Sequence, residues 1–483
     1  MLAVSLWLAC TGSTRAQQSE GPRGDRSARP NIVLLIADDL GKELGCYDYE
    51  VARTPNIDAV ATQGTRFNRA FATTASCSAS RSVILTGLHN HANGQYGHTH
   101  AYHHFRAYDN LMTLPVGLEL LGYRTARIGK MHVEPEATTF RFQKVIPGNP
   151  RSPVEMARAC REWMATAGDE PFFLYYCTAD PHRGGGFDES DPQRPDRFGN
   201  RPQGYPGVTP EVCSPGEVTV PDFLPDTAAC RSELAQYLQS VSRFDAGVGE
   251  MMTILDELGI ADNTLVIVTS DHGIAFPGGK TTCYEPGLGV PFVVRWPDRV
   301  PAGATCDVPI SHVDLTPSLL DFAARTFNEP VPSEIDLSKM HGRSRVDLWQ
   351  GTAEPADTTV YASHTFHEIT MYYPMRVVRE ERYKLIWNIA HQLPYPFASD
   401  LYEAATWQDA LRRGPEFIYG RRSVDAYVHR PEFELYDLEA DPAEGDNLAD
   451  NPEYAAELER LKRKLQQFQR DTQDPWELKW RYE

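Results

Sequence analysis

The sequence predicts an α/β fold, with a large, mostly parallel sheet sandwiched by helices and a smaller C-terminal antiparallel sheet with a helix. Three observations lead to this prediction. Continuous apolar runs of strand length end in ionisable residues, a long segment with helical periodicity precedes one of them, and shorter strand-like pieces begin after Tyr372. A chain of 483 residues is also longer than one compact core usually needs. We therefore expect a large domain and a smaller one.

The predicted strands of the large sheet are continuous apolar runs. They are NIVLLIADDL at residues 31–40, PFFLYYCTADPHR at 171–183, TLVIVTSDHG at 264–273 and PFVVRWP at 291–297. Strands buried on both faces belong to parallel sheets covered by helices. Residues 232–259 carry apolar side chains at helical spacing and predict a long helix. Three of the four runs release ionisable residues at their C-terminal ends, where open α/β sheets bind ligands.

The predicted domain boundaries follow changes in amino-acid composition and in the length of the apolar runs. Residues 1–16 indicate a secretory leader, 17–30 a polar linker, 31–372 the larger, catalytic domain and 373–483 the smaller α+β domain. The smaller domain contains MRVVREERYKLIWN and FELYDLEADP, which favour antiparallel strands. A helix with one apolar stripe is predicted over residues 452–469.

The leader and the bulk composition indicate the cellular context. We expect export to the periplasm or secretion with cleavage after Ala16, and lipid attachment at Cys10 is the alternative. No later segment approaches the ~18 consecutive apolar residues of a membrane span. The net charge of −19 argues against a nucleic-acid partner, because such partners are bound by clustered Lys and Arg. An anionic substrate would require a metal and a few cations to dominate the field inside a pocket.

Two acidic pairs follow predicted strands. Asp38 and Asp39 end the first run, and Asp271 with His272 ends the third. An isolated Asp-Asp pair is more often a helix N-cap with a solvated neighbour, but ligands from two neighbouring strand ends form a plausible divalent cation site. Oxygen ligands favour Ca²⁺ or Mg²⁺ over a soft metal, and the nine cysteines contain no CxxC pair that would favour zinc.

Several basic side chains also follow strand ends. Taken one by one, each has a structural explanation, but together they could surround a tetrahedral oxyanion as charges and hydrogen-bond donors. They are Arg81, Lys130 and His132 in RIGKMHVEP, His182 in ADPHR next to Asp180, and Lys280 in FPGGKTT. In an extended segment Lys130 and His132 would share a face.

The stretch TTASCSASRSVILTG, residues 73–87, places Cys77 among small hydroxylated residues before a helix-like apolar run. One interpretation is a buried structural thiol near a helix start. The other is that Cys77 is the precursor of a catalytic group.

The motif CSASR followed by LTG resembles that of the formylglycine-dependent sulfatases, C-x-P-x-R or C-x-A-x-R. The Asp-Asp strand, GKMH, DPHR, SDHG and the Lys280 loop occur in that family's order, and the resemblance covers residues 31–476. It implies the alkaline-phosphatase-like sulfatase fold. It also implies that a formylglycine-generating enzyme oxidises Cys77 to an aldehyde (3-oxoalanine).

Within the family, the chain resembles the heparan N-sulfatases most closely, in SDHGIAFPGGKTTCYEPG and above all in HEITMYYPMR at residues 367–376. It departs from them at His272 and Lys280, where they have asparagine and arginine, and Ala79 replaces the commoner proline of the motif. The implied substrate is the N-sulfate of glucosamine in heparan sulfate or heparin fragments. Asp180, His367 and Glu368 are candidates for contacts with this saccharide, although the segment at 367–368 could equally be a structural link between the domains.

The resemblance also implies a mechanism. Hydrated formylglycine at Cys77 would share with Asp38, Asp39, Asp271 and His272 a calcium ion, with magnesium as the alternative, and would attack sulfur. Lys130 and Lys280 would neutralise the sulfuryl oxygens, and His182 or Lys280 would protonate the departing amine. His132 would take the proton from the remaining hydroxyl, which expels sulfate.

Three alternatives stay open from the sequence alone. The first is an O-sulfatase on another sulfated sugar, and the second is a phosphoester or phosphonate hydrolase of the same superfamily. The third is a catalytically silent carbohydrate-binding protein in which Cys77 remains a thiol. The sequence also leaves open exo or endo action and the oligomeric state, with a homodimer among the alternatives.

Overall fold

The computed structural model describes residues 29–184, 195–327, 330, 332–353 and 357–482. The predicted leader at residues 1–16 and most of the predicted linker lie outside the described residues. In the part of the chain that is described, no helix has both the length and the apolar character needed to cross a bilayer.

The strands are distributed along the whole described chain. They are β1 (Asn31–Ala37), β2 (Thr65–Phe67), β3 (Ala70–Phe71), β4 (Arg124–Gly129), β5 (Lys144–Ile146), β6 (Phe172–Cys177), β7 (Thr264–Ser270), β8 (Gly289–Val290), β9 (Phe292–Arg295), β10 (Ala304–Cys306), β11 (Ile310–Ser311), β12 (Val360–His364), β13 (Met375–Arg379), β14 (Tyr383–Asn388), β15 (Ile418–Tyr419), β16 (Arg422–Ser423) and β17 (Phe433–Asp437).

The α-helices are interspersed with these strands along the described chain. They are α1 (Pro55–Thr62), α2 (Cys77–Thr86), α3 (Asn90–Asn93), α4 (Leu114–Leu120), α5 (Pro153–Ala165), α6 (Ala228–Glu257), α7 (Glu285–Leu288), α8 (Leu315–Phe327), α9 (Val346–Trp349), α10 (Ser399–Tyr402), α11 (Ala405–Arg413), α12 (Val424–Val428) and α13 (Ala455–Asp471).

The large sheet has the strand order β10-β2-β9-β7-β1-β6-β4-β5. Its strands pair in parallel except at β9, which is antiparallel to both β2 and β7. The predicted mostly parallel sheet is therefore confirmed. Because β9 runs the other way, its C-terminal end lies at the opposite edge, so the residues that follow PFVVRWP do not join those that follow β1, β6 and β7.

The continuous apolar run of β1 is explained by the two cores that it separates. Val33 and Leu35 belong to the core that also contains Leu238 of α6, while Ile32 and Leu34 belong to the opposite core, which is built on α4 and α8. Successive side chains of a strand point to opposite faces, so neither face of β1 can be polar. Each such buried aliphatic side chain contributes roughly 1.5–3 kcal/mol of transfer free energy.

Helix α6 covers one face of the sheet and was predicted at residues 232–259. It begins four residues earlier, because Thr227 caps it by accepting a hydrogen bond from the backbone N–H of Cys230. It ends at Glu257, two residues before Gly259, whose φ of +69° stops the helical path.

The second sheet is antiparallel, in the order β12-β13-β14-β17. Helix α13 packs Leu461 and Leu465 against Val378 and Leu385 of this sheet. The helical stripe predicted at residues 452–469 begins as a short 3-10 turn at Pro452–Tyr454 and continues as α13. Strand β12 precedes residue 373, so the small sheet starts before the predicted boundary, and the division at that residue stays a prediction.

The register of the large sheet brings several strand ends to one place. Ala37 at the end of β1 pairs with Ser270 of β7, and Ile36 pairs with Cys177 of β6, which in turn pairs with Gly129 of β4. The residues that follow these strands are therefore neighbours at the carboxyl edge of the sheet. They carry the predicted site.

Candidate active site

Cys77 is the first residue of α2 and lies at the centre of the site. Its side chain is fully buried, with Sγ 3.6 Å from Oδ1 of Asp39 and 3.5 Å from Nε2 of His272. Ser76 precedes the helix in an extended conformation. The thiol therefore faces the ends of β1 and β7 and not an apolar core, which distinguishes it from the buried thiol of Cys160.

A cluster of buried potential metal ligands surrounds Cys77. Asp39, Cys77, Asp271 and His272 each place one ligand atom within 4.8 Å of the others. The backbone N–H groups of Asp39 and His272 donate to Oδ1 of Asp271 at 3.0 and 2.9 Å, which fixes that carboxylate between the two strand ends. Buried carboxylates this close repel each other unless a cation compensates them, and their oxygen atoms suit a hard divalent cation. The residues therefore fit the metal that the sequence predicts.

Arg81 and Lys130 hold the remaining carboxylate, Asp38. Arg81 Nη2 lies 3.2 Å from Oδ1 of Asp38 and Arg81 Nε lies 3.0 Å from Oδ2 of Asp271, while Lys130 Nζ lies 2.5 Å from Oδ2 of Asp38. Burial raises the pKa of Asp38, but the charges of Lys130, His182 and Arg81 outweigh it and hold that pKa well below its usual range. Arg81 is fully buried between the two carboxylates, so it positions them.

His272 lies between two acidic side chains. Its Nε2 is 3.0 Å from Oδ1 of Asp39. Burial lowers the pKa of His272, but the charges of Asp271 and Asp39 outweigh burial and raise that pKa well above its ordinary value. A proton on this ring and a bound cation would compensate the same carboxylates, so His272 loses that proton when it binds the cation.

Lys280 links the metal-ligand cluster to two further groups. Its Nζ lies 2.9 Å from Oδ2 of Asp39, 2.9 Å from Oδ2 of Asp400 and 3.2 Å from Nε2 of His182. Burial lowers the pKa of Lys280, but Asp39 and Asp400 outweigh it and raise that pKa well above its usual value. Burial and the charge of Lys280 lower the pKa of His182 to about 3. At neutral pH, Lys280 is therefore protonated and donates a hydrogen bond to Nε2 of the neutral His182 ring.

Lys130 and His132 diverge after the end of β4. Lys130 reaches Asp38, whereas His132, with a φ of +59°, places Nε2 2.5 Å from Nδ1 of His100. The rings of His132 and His98 stack with centroids 4.8 Å apart. The two residues of the predicted basic pair thus contact different parts of the same site, Lys130 the carboxylates and His132 the neighbouring histidines.

The three predicted saccharide contacts have different surroundings. Asp180 is buried, with Oδ1 2.9 Å from Arg151 and Oδ2 2.7 Å from Arg243, so it is not brought to the open side of the site. It anchors the loop that carries His182, because Arg151 also donates to the carbonyl of His182 at 2.8 Å. Glu368 is half-buried, and its Oε1 accepts hydrogen bonds from the backbone N–H and the hydroxyl of Ser399.

His367 is buried behind the start of α2. Its Nδ1 lies 2.9 Å from Oγ of Ser76, and its Nε2 lies 2.8 Å from Nε2 of His98, whose Nδ1 lies 3.3 Å from Oγ of Ser78. Two imidazoles therefore hold both serines that flank Cys77. This contact supports the position of Cys77 more directly than it supports contact with a sugar.

Sequence reasoning assigned no role to Asp400, His98 or His100. Asp400 sits in the segment FASDL, which has no motif that could have singled it out. His98 and His100 belong to the histidine-rich tract HNHANGQYGHTHAYHH, and such a tract is itself a signal of metal or active-site chemistry.

Two family models match the chain. The model described as "Sulfatase" matches residues 30–324, and the model described as "N-sulphoglucosamine sulphohydrolase, C-terminal" matches residues 276–401. The chain is 39% identical over 472 residues to N-sulphoglucosamine sulphohydrolase of Homo sapiens, covering 93% of this chain and 92% of the relative. It is 29% identical over 472 residues to an ulvan-active sulfatase of Formosa agariphila, covering 94% of this chain and 84% of the relative.

Solved structures share the fold at lower identity. A protein in complex with its substrate D-glucosamine-2-N,6-O-disulfate aligns with a TM-score of 0.64 at 21% identity, covering 92% of this chain and 99% of that chain. The phosphonate monoester hydrolase of Silicibacter pomeroyi aligns with a TM-score of 0.66 at 16% identity, covering 93% of this chain and 97% of that chain.

Proposed function

The chain belongs to the sulfatase family, and from this premise we propose that it hydrolyses the N-sulfate of glucosamine residues in heparan sulfate or heparin fragments. The observation that carries this proposal is the 39% identity to human N-sulphoglucosamine sulphohydrolase over 93% of the chain. The match of residues 276–401 to the C-terminal model of that enzyme adds support outside the general sulfatase motifs.

We assign the divalent cation to Asp38, Asp39, Asp271 and His272, with calcium as the expected ion and magnesium as the alternative. When bound, the cation supplies a Lewis acid that lowers the pKa of a coordinated hydroxyl and stabilises negative charge on oxygen. Arg81 positions the ligands for this role, because its guanidinium donates hydrogen bonds to one carboxylate oxygen at each of the two strand ends.

Cys77 is assigned as the residue that the formylglycine-generating enzyme oxidises to an aldehyde. Hydration of the aldehyde supplies one hydroxyl for attack on sulfur and a second for the release of sulfate. The position of residue 77 at the start of α2 is suited to this role, because the flanking serines are tied to His367 and His98 and the side chain faces the carboxylate cluster.

Lys130 and Lys280 are assigned to the oxygen atoms of the sulfuryl group. Both ammonium groups contact assigned ligand carboxylates, Lys130 at Asp38 and Lys280 at Asp39, and the charges of both act on the side chain of residue 77. Preorganised cations in a buried site stabilise developing charge without reorganising during the reaction.

Two proton transfers are needed, one at each end of the reaction. The departing nitrogen needs a proton because an amide anion is a poor leaving group, and the Lys280–His182 pair at 3.2 Å can deliver it. His132 is assigned to accept the proton from the remaining hydroxyl of residue 77. Its contact with the exposed ring of His100 offers a route for that proton to solvent.

Saccharide recognition is assigned to the side of the site formed by Glu368 and Asp400. Ser399 hydrogen-bonds to Glu368, and its neighbour Asp400 contacts Lys280, so the two carboxylates lie on the same rim beside the proton donor. Carboxylates there could accept hydrogen bonds from glucosamine hydroxyls. Asp180 is assigned an indirect role, through the loop that carries His182.

The direct test compares sulfate release from N-sulfated glucosamine and from 6-O-sulfated glucosamine by the matured enzyme. We expect release from the N-sulfated sugar. Release only from the O-sulfated sugar would refute the proposed substrate while keeping the enzyme class. Hydrolysis only of a phosphonate ester would refute the sulfatase activity and favour the phosphonate hydrolase alternative.

We also propose that the enzyme is exported to the periplasm or secreted. The support is the apolar run followed by small residues at positions 1–16, which lie outside the described residues. Expression with these residues and sequencing of the mature N-terminus would test it, with cleavage after Ala16 as the expected result and an intact N-terminus in the cytoplasm as the contrary one.

A further inference from the structure

Three histidines next to the active site place their ring nitrogens close together. His98, His100 and His132, which we call the imidazole cluster, each offer one nitrogen within 4.8 Å of the other two. His100 Nδ1 and His132 Nε2 are 2.5 Å apart, and the rings of His98 and His100 have centroids 4.8 Å apart. These residues are separate from the ligands assigned above to the catalytic cation.

The cluster combines two anchored side chains with one that solvent can reach. His98 is buried, its backbone N–H donates to the carbonyl of His367 at 2.9 Å, and its Nδ1 lies 3.3 Å from Oγ of Ser78. His132 is half-buried, and His100 is exposed. An ion could therefore approach from the His100 side. Each nitrogen of His98 already has a neighbour, Ser78 Oγ at Nδ1 and His367 Nε2 at Nε2, so the nitrogen that binds the ion would give up that contact and the other would keep its own. Hydrogen bonds to the far side of a ligating ring are what fix its orientation in metal sites.

The chemistry of the cluster selects a different kind of ion from that of the carboxylate cluster. Its three donor atoms are imidazole nitrogens, which suit Zn²⁺, Cu²⁺ or Ni²⁺ and not Ca²⁺ or Mg²⁺. Two nitrogens bound to one tetrahedral zinc are about 3.4 Å apart. The three nitrogens lie within 4.8 Å of one another, and His100 Nδ1 and His132 Nε2, at 2.5 Å, would have to move apart to bind one ion. The exposed ring of His100 has room for this movement, and water would supply a fourth ligand.

The protonation state of these rings also suits a metal. Burial and the charge of Lys130 hold the pKa of His132 well below its usual value, and burial with the neighbouring ring of His132 does the same for His98. Both rings are therefore neutral at neutral pH, so each keeps one nitrogen without a proton, which is the form that binds a metal.

We propose that the imidazole cluster is a second metal site, which takes up Zn²⁺ or Cu²⁺ and thereby inhibits the enzyme. The inhibition rests on the proposed function, in which His132 accepts a proton, because a nitrogen bound to a metal cannot accept one. The binding rests only on the three side chains. The two parts can therefore be tested separately.

The binding test is calorimetric titration of Zn²⁺ into the Cys77→Ser protein with calcium in excess, so that neither the reactive thiol nor the carboxylate cluster takes up zinc. His100→Asn should weaken the tightest site by at least about 100-fold, since losing a ligand costs more than the 10–100-fold typical of losing an outer-shell partner. The matched control is His104→Asn, which removes an exposed histidine of the same loop and should leave the affinity unchanged. Equal zinc affinity in the His100→Asn protein and its parent would overturn the site.

The inhibition test uses the matured enzyme and N-sulfated glucosamine. Zn²⁺ should lower the rate reversibly, and the His100→Asn enzyme should require a far higher Zn²⁺ concentration for the same fractional loss relative to its own zinc-free rate. Zinc that binds at the cluster without lowering the rate would refute the inhibitory role and leave the metal site standing. An enzyme without any activity on the sugar would instead refute the proposed function, because the calorimetric result does not depend on turnover.

Discussion

At the scale of single residues, the site depends on the chemistry at position 77. The side chain lies between the carboxylate of Asp39 and the ring of His272, and both flanking serines are held by imidazoles. These polar and charged neighbours are not those of a structural cysteine, which packs as a small apolar side chain among apolar neighbours. The surroundings of Cys77 therefore favour the catalytic interpretation of the motif CSASR over the structural one.

Replacing Cys77 by serine should remove activity and keep the fold. Serine offers a single hydroxyl, so a sulfated serine has no second hydroxyl with which to expel sulfate. We expect the rate of sulfate release at steady state to fall by about 1,000-fold or more, with an unchanged circular dichroism spectrum. Cys46→Ser, at a half-buried thiol remote from the cluster, is the matched control and should keep the rate. A Cys77→Ser enzyme with a near-normal rate would contradict the role of residue 77.

Asp400 should raise the pKa of Lys280 and so keep its proton in place at the pH of the reaction. Removing the carboxylate charge in Asp400→Asn removes one of the two groups that raise the pKa of Lys280, so that pKa should fall. We expect the alkaline limb of the rate profile to move to lower pH and kcat to fall by about tenfold. The control is Asp409→Asn, at a carboxylate of α11 that pairs with Arg413. An unchanged alkaline limb in the Asp400→Asn enzyme would show that Lys280 does not supply the proton.

At the scale of elements, the carboxyl ends of β1, β4, β6 and β7 create the site. Their register is fixed by apolar burial on both faces, which is why four sequence-distant motifs meet at one edge. The C-terminal part of the chain contributes two more residues to the site, because His367 follows β12 and Asp400 lies in α10. Neither contribution comes from the large sheet itself.

The sequence predicted the parts of the site that follow strong periodic elements. Asp38, Asp39, Asp271 and His272 come directly after continuous apolar runs, so their convergence follows from sheet topology alone. The contact of Asp400 with Lys280 joins residues 120 positions apart and depends on how the C-terminal part packs, which no local pattern encodes. The antiparallel direction of β9 was also not predictable, because a short apolar run does not carry direction.

One buried ion pair connects the C-terminal segment to β13 and should stabilise its packing there. Arg376 Nε and Nη2 lie 2.5 and 3.0 Å from the two carboxylate oxygens of Asp474, and the guanidinium stacks over Trp476. Breaking such a buried pair costs about 3–5 kcal/mol. Asp474→Asn should therefore lower the melting temperature at pH 7, whereas Asp471→Asn, at the exposed end of α13, should not. Equal melting temperatures of the Asp474→Asn protein and the parent would contradict this stabilisation.

The same pair gives a pH dependence of defined sign. Burial raises the pKa of Asp474, but Arg376 outweighs it, so the folded pKa lies well below the unfolded value of about 3.9. Such a carboxylate stabilises the fold above its unfolded pKa, and this stability is lost as pH falls toward the folded pKa. Below about pH 4 the melting temperature of the parent should therefore fall more steeply than that of the Asp474→Asn protein.

At the scale of the whole molecule, the buried acidic cluster makes stability depend on a bound cation. Calcium should raise the melting temperature of the Cys77→Ser protein, because a ligand at 100 times its Kd adds about 2.7 kcal/mol to the free energy of unfolding. A chelator should reverse the shift. Parallel titration with magnesium identifies the preferred ion, and Asp39→Asn in the same background should abolish the effect. A shift that persists in the Asp39→Asn protein would place the ion elsewhere.

The net charge of the molecule agrees with this account of the site. A chain with a charge of −19 repels an anionic saccharide at long range, so binding must come from the local cations at the edge of the sheet. Lys130, Lys280, Arg81 and the assigned metal supply that local charge. The carboxylates of Asp38, Asp39, Asp271 and Asp400 outnumber the three basic side chains, so the site becomes positive only with the bound cation.

The most direct test of the account is the mass of the tryptic peptide spanning residues 70–81, taken from protein produced together with a formylglycine-generating enzyme. The account predicts the mass of the aldehyde at residue 77, in a proportion that tracks the rate of sulfate release from N-sulfated glucosamine across preparations. A peptide that carries only the unmodified thiol, in protein that nevertheless releases sulfate, would contradict it.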